Sequence, residues 1–90
     1  MKKNRKSNQL TDIPGVGPSI SMDLQNIGIK TVGDLIGKNP EQLYKLSNAY
    51  AGCKQDRCLL YVYRCAVYYA NTDEMDLNEE KLKWWSWKDV

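Results

Sequence analysis

Residues 10–29 read LTDIPGVGPSISMDLQNIGI, and the chemistry they offer lies in backbone rather than side chains. Gly15-Val16-Gly17 makes a tight turn, where glycine permits positive φ and close backbone approach. Pro18 suits the first position of a helix, since its missing N–H costs nothing there. Successive N–H groups from Val16 to Ser19 then point outward, and the helix dipole adds partial positive charge. Gly15, Val16, Gly17, Pro18 and Ser19 are therefore candidates for an anion cradle that would take phosphate. A phosphate held through backbone gives no base information, so such a grip is sequence-independent. The alternative is that the turn only reverses the chain so that two helices can pack. Under both readings a side chain at position 15 or 17 is expected to strain the turn.

Three further groups could do chemistry. Arg57, Tyr61, Arg64 and Tyr68 stand at i, i+4, i+7 and i+11, one stripe along a helix. Arginine alternating with tyrosine suits phosphate contact, base stacking or a protein interface; alternatively the guanidinium groups stack on the neighbouring rings as a half-exposed flank. Trp84, Trp85 and Trp87 fall within KLKWWSWKD, between Lys81, Lys83 and Lys88. They are stacking platforms, or a lid that folds back over a core too small without them. Lys2, Lys3, Arg5 and Lys6 form a basic arm, which would tether phosphate or keep the chain soluble.

Catalysis is not expected. There is no histidine, so the commonest general base and metal ligand are missing, and no nucleophile or carboxylate pair has an evident partner. Cys53, Cys58 and Cys65 make an odd number without a disulfide framework, which suits a reducing, cytoplasmic setting. They read as buried small hydrophobes rather than as ligands of a metal. No cofactor is expected. No apolar run is long enough to span a membrane, and the basic start leads into no apolar segment of a secretory signal. The net charge of +2 conceals an asymmetry, because the arm contributes +4 and residues 7–90 sum to −2. A strong duplex binder usually shows a basic face.

The elements that must position these groups all read as helical. Residues 1–8 form a disordered arm, and 9–90 a single domain. Leu10 and Ile13 suggest a short helix ended by Pro14. Pro18 opens a second, with Ile20, Leu24 and Ile27 on one face and Gly28 closing it. Thr31 to Asp34 is a capping-box-like start to a very short third helix. Asn39-Pro40-Glu41-Gln42 starts a fourth, carrying Leu43, Leu46 and Tyr50 and ending near Gly52. From about Gln55 to Ala70 runs the longest and most apolar segment, which is placed at the centre. Asn78 caps a last short helix. The expectation is an all-α bundle of five or six short helices.

Ile13-Pro14-Gly15-Val16-Gly17-Pro18, then Leu24 and Gly28-Ile29, resembles a helix-hairpin-helix motif, the small DNA-contacting unit of many repair and recombination proteins. With DRCLLYVYRCAVYYA and LKWWSWKD, the chain over about residues 9–89 is similar to a small bacterial group. These are the pathogenicity-locus helix-hairpin-helix proteins, sometimes labelled mitomycin resistance. More distantly it resembles the C-terminal domain of TfoX-type competence regulators. Ser19 stands where DNA-binding hairpins often carry Lys, and Asp23 adds a negative charge to the same helix. Stable duplex binding in this superfamily typically uses two hairpins. The candidate for the second, Ala51-Gly52-Cys53-Lys54-Gln55, has a single glycine and reads as a degenerate partner.

Residues and resemblance together lead to the expectation of a cytoplasmic, non-enzymatic module that binds nucleic acid, with DNA as partner, weakly and without sequence preference. It would do so through the hairpin backbone, helped by the arm, Arg57 and Arg64. The alternative is an adaptor that keeps the fold as scaffold and meets an unidentified protein through Tyr61, Tyr68, Trp84 and Trp87. Either would be a monomer or a weak homodimer.

Overall fold

Short apolar-edged pieces separated by glycine and proline can bury those edges only against a longer element. The computed structural model describes residues 9–88, and among these it contains three α-helices, five 3-10 turns and no strand. The helices are α1 (Pro18–Asn26), α2 (Pro40–Ala51) and α3 (Arg57–Asn71). The 3-10 turns are Leu10–Asp12, Val32–Leu35, Glu74–Asp76, Glu79–Leu82 and Trp84–Trp87. The all-helical class is as expected, but the first, third and last of the expected helices are 3-10 turns. Pieces of three or four residues cannot offset the cost of nucleating an α-helix.

Local signals set the boundaries. Thr31 and Asp34 form both halves of a capping box. Asn39 Oδ1 accepts from the N–H groups of Glu41 and Gln42 at 2.9 and 3.2 Å, and Asp56 accepts from Cys58 N–H at 2.9 Å. Asn78 caps the Glu79–Leu82 turn through Glu80 N–H at 2.8 Å.

α3 is the centre, burying Leu59, Leu60, Val62, Tyr63, Cys65, Ala66 and Ala70. Leu10, Ile13, Val16, Leu24, Ile29, Val32, Leu35, Leu43 and Tyr44 close around it. Tyr63 is fully buried and its hydroxyl donates to Ser47 Oγ at 3.2 Å. Ser47 Oγ also accepts from Gln55 Nε2 at 2.8 Å, so a polar pair inside the core is satisfied. Burial pushes the Tyr63 pKa up to about 12.

Two expectations about packing are corrected. Only Cys65 is buried; Cys53 and Cys58 are exposed, because one precedes α3 in the connection and the other sits in its exposed first turn. On α2 the buried face is Leu43, Tyr44 and Ser47, which leaves Leu46 and Tyr50 outside at 49% and 65% exposure.

The last segment returns across α3. Tyr68 Oη accepts from Asn78 N–H at 2.9 Å, and Cys65 Sγ lies 3.5 and 3.4 Å from the carbonyls of Lys81 and Leu82. Trp84 and Trp87 pack against the core as the lid reading expects.

Candidate functional site

The turn at 13–17 is closed from inside. Ile13 and Val16 are buried, and Val16 N–H donates to the Ile13 carbonyl at 3.0 Å. Val16 therefore leaves the expected set of outward donors, because its amide closes the turn and its side chain fills the core. Gly15 holds φ at 90°, a conformation that L side chains rarely adopt. Gly17 does not: at φ −94° and ψ −172° it is extended backbone, and a β-carbon there would meet nothing within 4 Å. The expectation that both glycines are sterically required is thus correct for Gly15 and wrong for Gly17.

Gly17 is the N-cap of α1, and its carbonyl accepts the Ser21 N–H at 2.9 Å. No side chain caps this helix. Pro18 has no N–H to give. The N–H groups of Gly15, Gly17, Ser19 and Ile20 find no acceptor among the described residues, so α1 begins with open donors. At α2 and α3 the corresponding donors are met by Asn39 and Asp56.

The 51–55 connection differs in just this respect. Gly52 and Cys53 donate to the Asn48 carbonyl, and Gln55 N–H donates to Asn48 Oδ1 at 2.8 Å. The Asp56 carboxylate, held below its ordinary pKa mainly by the Cys58 N–H, occupies the place that an anion would take at α3. This turn has internal partners for the donors nearest its helix, whereas the first, closed by Val16 alone, leaves its own open.

The Arg–Tyr stripe is folded inward. Tyr61 is buried, with the Arg57 and Arg64 guanidinium carbons 5.8 and 5.7 Å from its ring centroid. Arg64 is only 12% exposed and pairs with Glu41, itself half exposed, at 2.8 Å. A further N–H of Arg64 donates to the Trp87 carbonyl at 2.7 Å. Arg64 holds the Glu41 carboxyl below its ordinary pKa. Tyr68 packs on Trp87 with ring centroids 5.6 Å apart, and Lys81 Nζ lies 5.7 Å from the Tyr68 ring centroid. Of the stripe, Tyr61 is therefore no contact surface in this structure, and Arg64 is engaged within the chain.

The tryptophans are divided otherwise than expected. Trp84 and Trp87 are half-buried against the core, and Trp85 is the exposed ring at 54%. In a 3-10 turn residues three apart share a side, so Trp84 and Trp87 face inward together; that spacing was the available signal. Trp84 lies on the 13–17 turn: a β-carbon placed on Gly15 would be 3.5 Å from its Cδ1. No local pattern links residues so far apart in the chain.

Between the start of α2, the second half of α3 and Trp87 opens an apolar groove of about 420 Å³, bounded by Pro40, Arg64, Val67, Tyr68 and Thr72. Among the described residues, no three His, Cys, Asp or Glu side chains gather as a metal site, and no helix is long and apolar enough to cross a membrane. The arm residues Lys2, Lys3, Arg5 and Lys6 lie outside the described residues. No curated protein and no solved structure matches the chain. A family model described as pathogenicity locus matches residues 3–90.

Proposed function

We propose that this chain, which belongs to the Cdd1 pathogenicity-locus family, is a non-enzymatic module that binds nucleic acid weakly and without sequence preference. We read its fold as helix-hairpin-helix in type, with the turn at 13–17 as the working hairpin and the one at 51–55 as its degenerate partner. The observation that carries the reading is the set of N–H donors at Gly15, Gly17, Ser19 and Ile20 left open among the described residues, at the one α-helix there without a side-chain cap. Donors at a helix start suit the oxygens of a phosphate and the sign of its charge. The arm would add salt-sensitive attraction, and Arg57, the first residue of α3, a further cation.

The acidic balance of residues 7–90 keeps the affinity low. Binding of a labelled duplex and a labelled single strand, followed by anisotropy across a salt series, tests the proposal. Gly17→Glu is a clean probe, since its backbone is unstrained and a β-carbon there meets nothing within 4 Å. Binding that survives deletion of residues 1–6 but is lost in a folded Gly17→Glu chain places the site at the turn. Binding lost with the arm alone sinks the hairpin role.

A second reading, a protein-interaction adaptor, draws on the apolar groove beside Trp87. It gains if the intact chain binds neither nucleic acid.

A further inference from the structure

Two of the three C-terminal indoles are accounted for by the fold, and one is not. Trp84 and Trp87 complete the core, whereas Trp85 is more than half exposed. Its support is nonetheless rigid. Ser86 Oγ donates to the Glu80 carbonyl at 2.7 Å, Ser86 N–H to the Lys83 carbonyl at 2.9 Å, and Arg64 fastens the Trp87 carbonyl. Trp84 meets Trp85 edge to face, with centroids 5.6 Å apart and planes at 88°. Because Trp84 also covers Gly15, the exposed ring is fixed one side chain away from the turn that carries the open donors.

We infer that Trp85 is a base-stacking platform, and that the nucleic acid taken at this site is single-stranded. The inference rests on the hairpin reading given above. An indole face stacks on any base whose own face is free, which a single strand offers and the interior of a duplex does not. Stacking tolerates every base, and so does a grip on phosphate through backbone. The two contacts therefore add affinity without adding sequence preference. Lys83, next to Trp85 and half exposed, contributes a cation that it shares with Glu80 at 3.3 Å. Its charge is largely balanced, so the ring rather than the lysine sets the preference.

The test compares the full chain with Trp85→Ala, Trp85→Phe and Gly17→Glu against labelled oligothymidine and a duplex of equal length at low salt. Circular dichroism checks each variant's fold. The full chain is expected to bind the oligothymidine more tightly than the duplex. Trp85→Ala should weaken oligothymidine binding about tenfold and leave the duplex unaffected, while Trp85→Phe keeps most of the affinity. Quenching of tryptophan emission by oligothymidine should be smaller in Trp85→Phe than in the full chain.

Equal oligothymidine affinity in Trp85→Ala and the full chain overturns the inference, as does an equal loss on both probes. Gly17→Glu reports separately on the hairpin: unchanged binding there, with Trp85→Ala impaired on the single strand, sinks the hairpin reading and keeps the stacking site. Absence of binding to both probes overturns both readings.

Discussion

At the scale of single residues, Gly15 and Gly17 stand two positions apart and answer to different constraints. Gly15→Ala forces a β-carbon into a positive-φ position against Trp84 and should cost about 1–2 kcal/mol in urea unfolding. Gly17→Ala meets neither strain nor contact, and should leave stability unchanged or raise it by no more than about 1 kcal/mol. The thiols divide in the same manner. Two of the three should react promptly with Ellman's reagent and Cys65 only slowly, since it is buried. Burial also pushes the Cys65 thiol from 9.0 to about 11 and the Tyr63 hydroxyl from 10.0 to about 12. For both groups the folded pKa exceeds the unfolded one. Their contribution is complete below the unfolded value and is lost as pH rises through the folded value. The urea midpoint should therefore fall between about pH 9 and 12, and Cys65→Ala should remove the earlier part of that fall.

At the scale of elements, the C-terminal segment is held by polar fastenings as well as by the half-buried Trp84 and Trp87, for neither of its last two 3-10 turns has a fully buried residue. Arg64 is the principal fastening, joining Glu41 of α2 to the Trp87 carbonyl. Arg64→Ala should cost about 2 kcal/mol and speed the modification of Cys65, which lies under the same segment. Arg64→Lys should restore only part, because an ammonium cannot span both partners as the planar fork does. Glu41 has a lowered pKa in the folded state, so its share of the fastening is present above its ordinary value of 4.5 and is lost as pH falls through the folded one. The caps at Thr31, Asn39 and Asn78 were legible in the sequence because each is a contact within three residues; the Asp56 cap, equally local, was not expected. The burial of α3 was legible from its near-continuous apolar face. What the sequence hid is long-range: the Arg64–Glu41 pair spans 23 positions, and Trp84 reaches back to Gly15. Of the candidate site, the turn could be read from its glycines. Which amides stay open depends on Val16 being drawn into the core, a packing outcome.

At the scale of the whole molecule, charge is distributed so that the domain and its basic arm pull in opposite directions. Deleting residues 1–6 turns the net charge from +2 to −2. If the four arm cations contact duplex phosphate, the slope of log affinity against log salt should lose about 3.6 units on deletion, and any binding that remains should be markedly less salt-sensitive. A slope unaltered by the deletion would remove the arm from the interface. The contact of Trp84 with Gly15 has a consequence of another kind, for the order in which the fold can be completed during synthesis. The turn is made early, from a few neighbouring residues, yet the ring that covers it is synthesised only after all three α-helices. Residues 10–70 must wait as a helical chain with an unsealed core until residues 84–87 arrive. A stop codon at position 84 would leave all three α-helices encoded and their core without the rings that cover it.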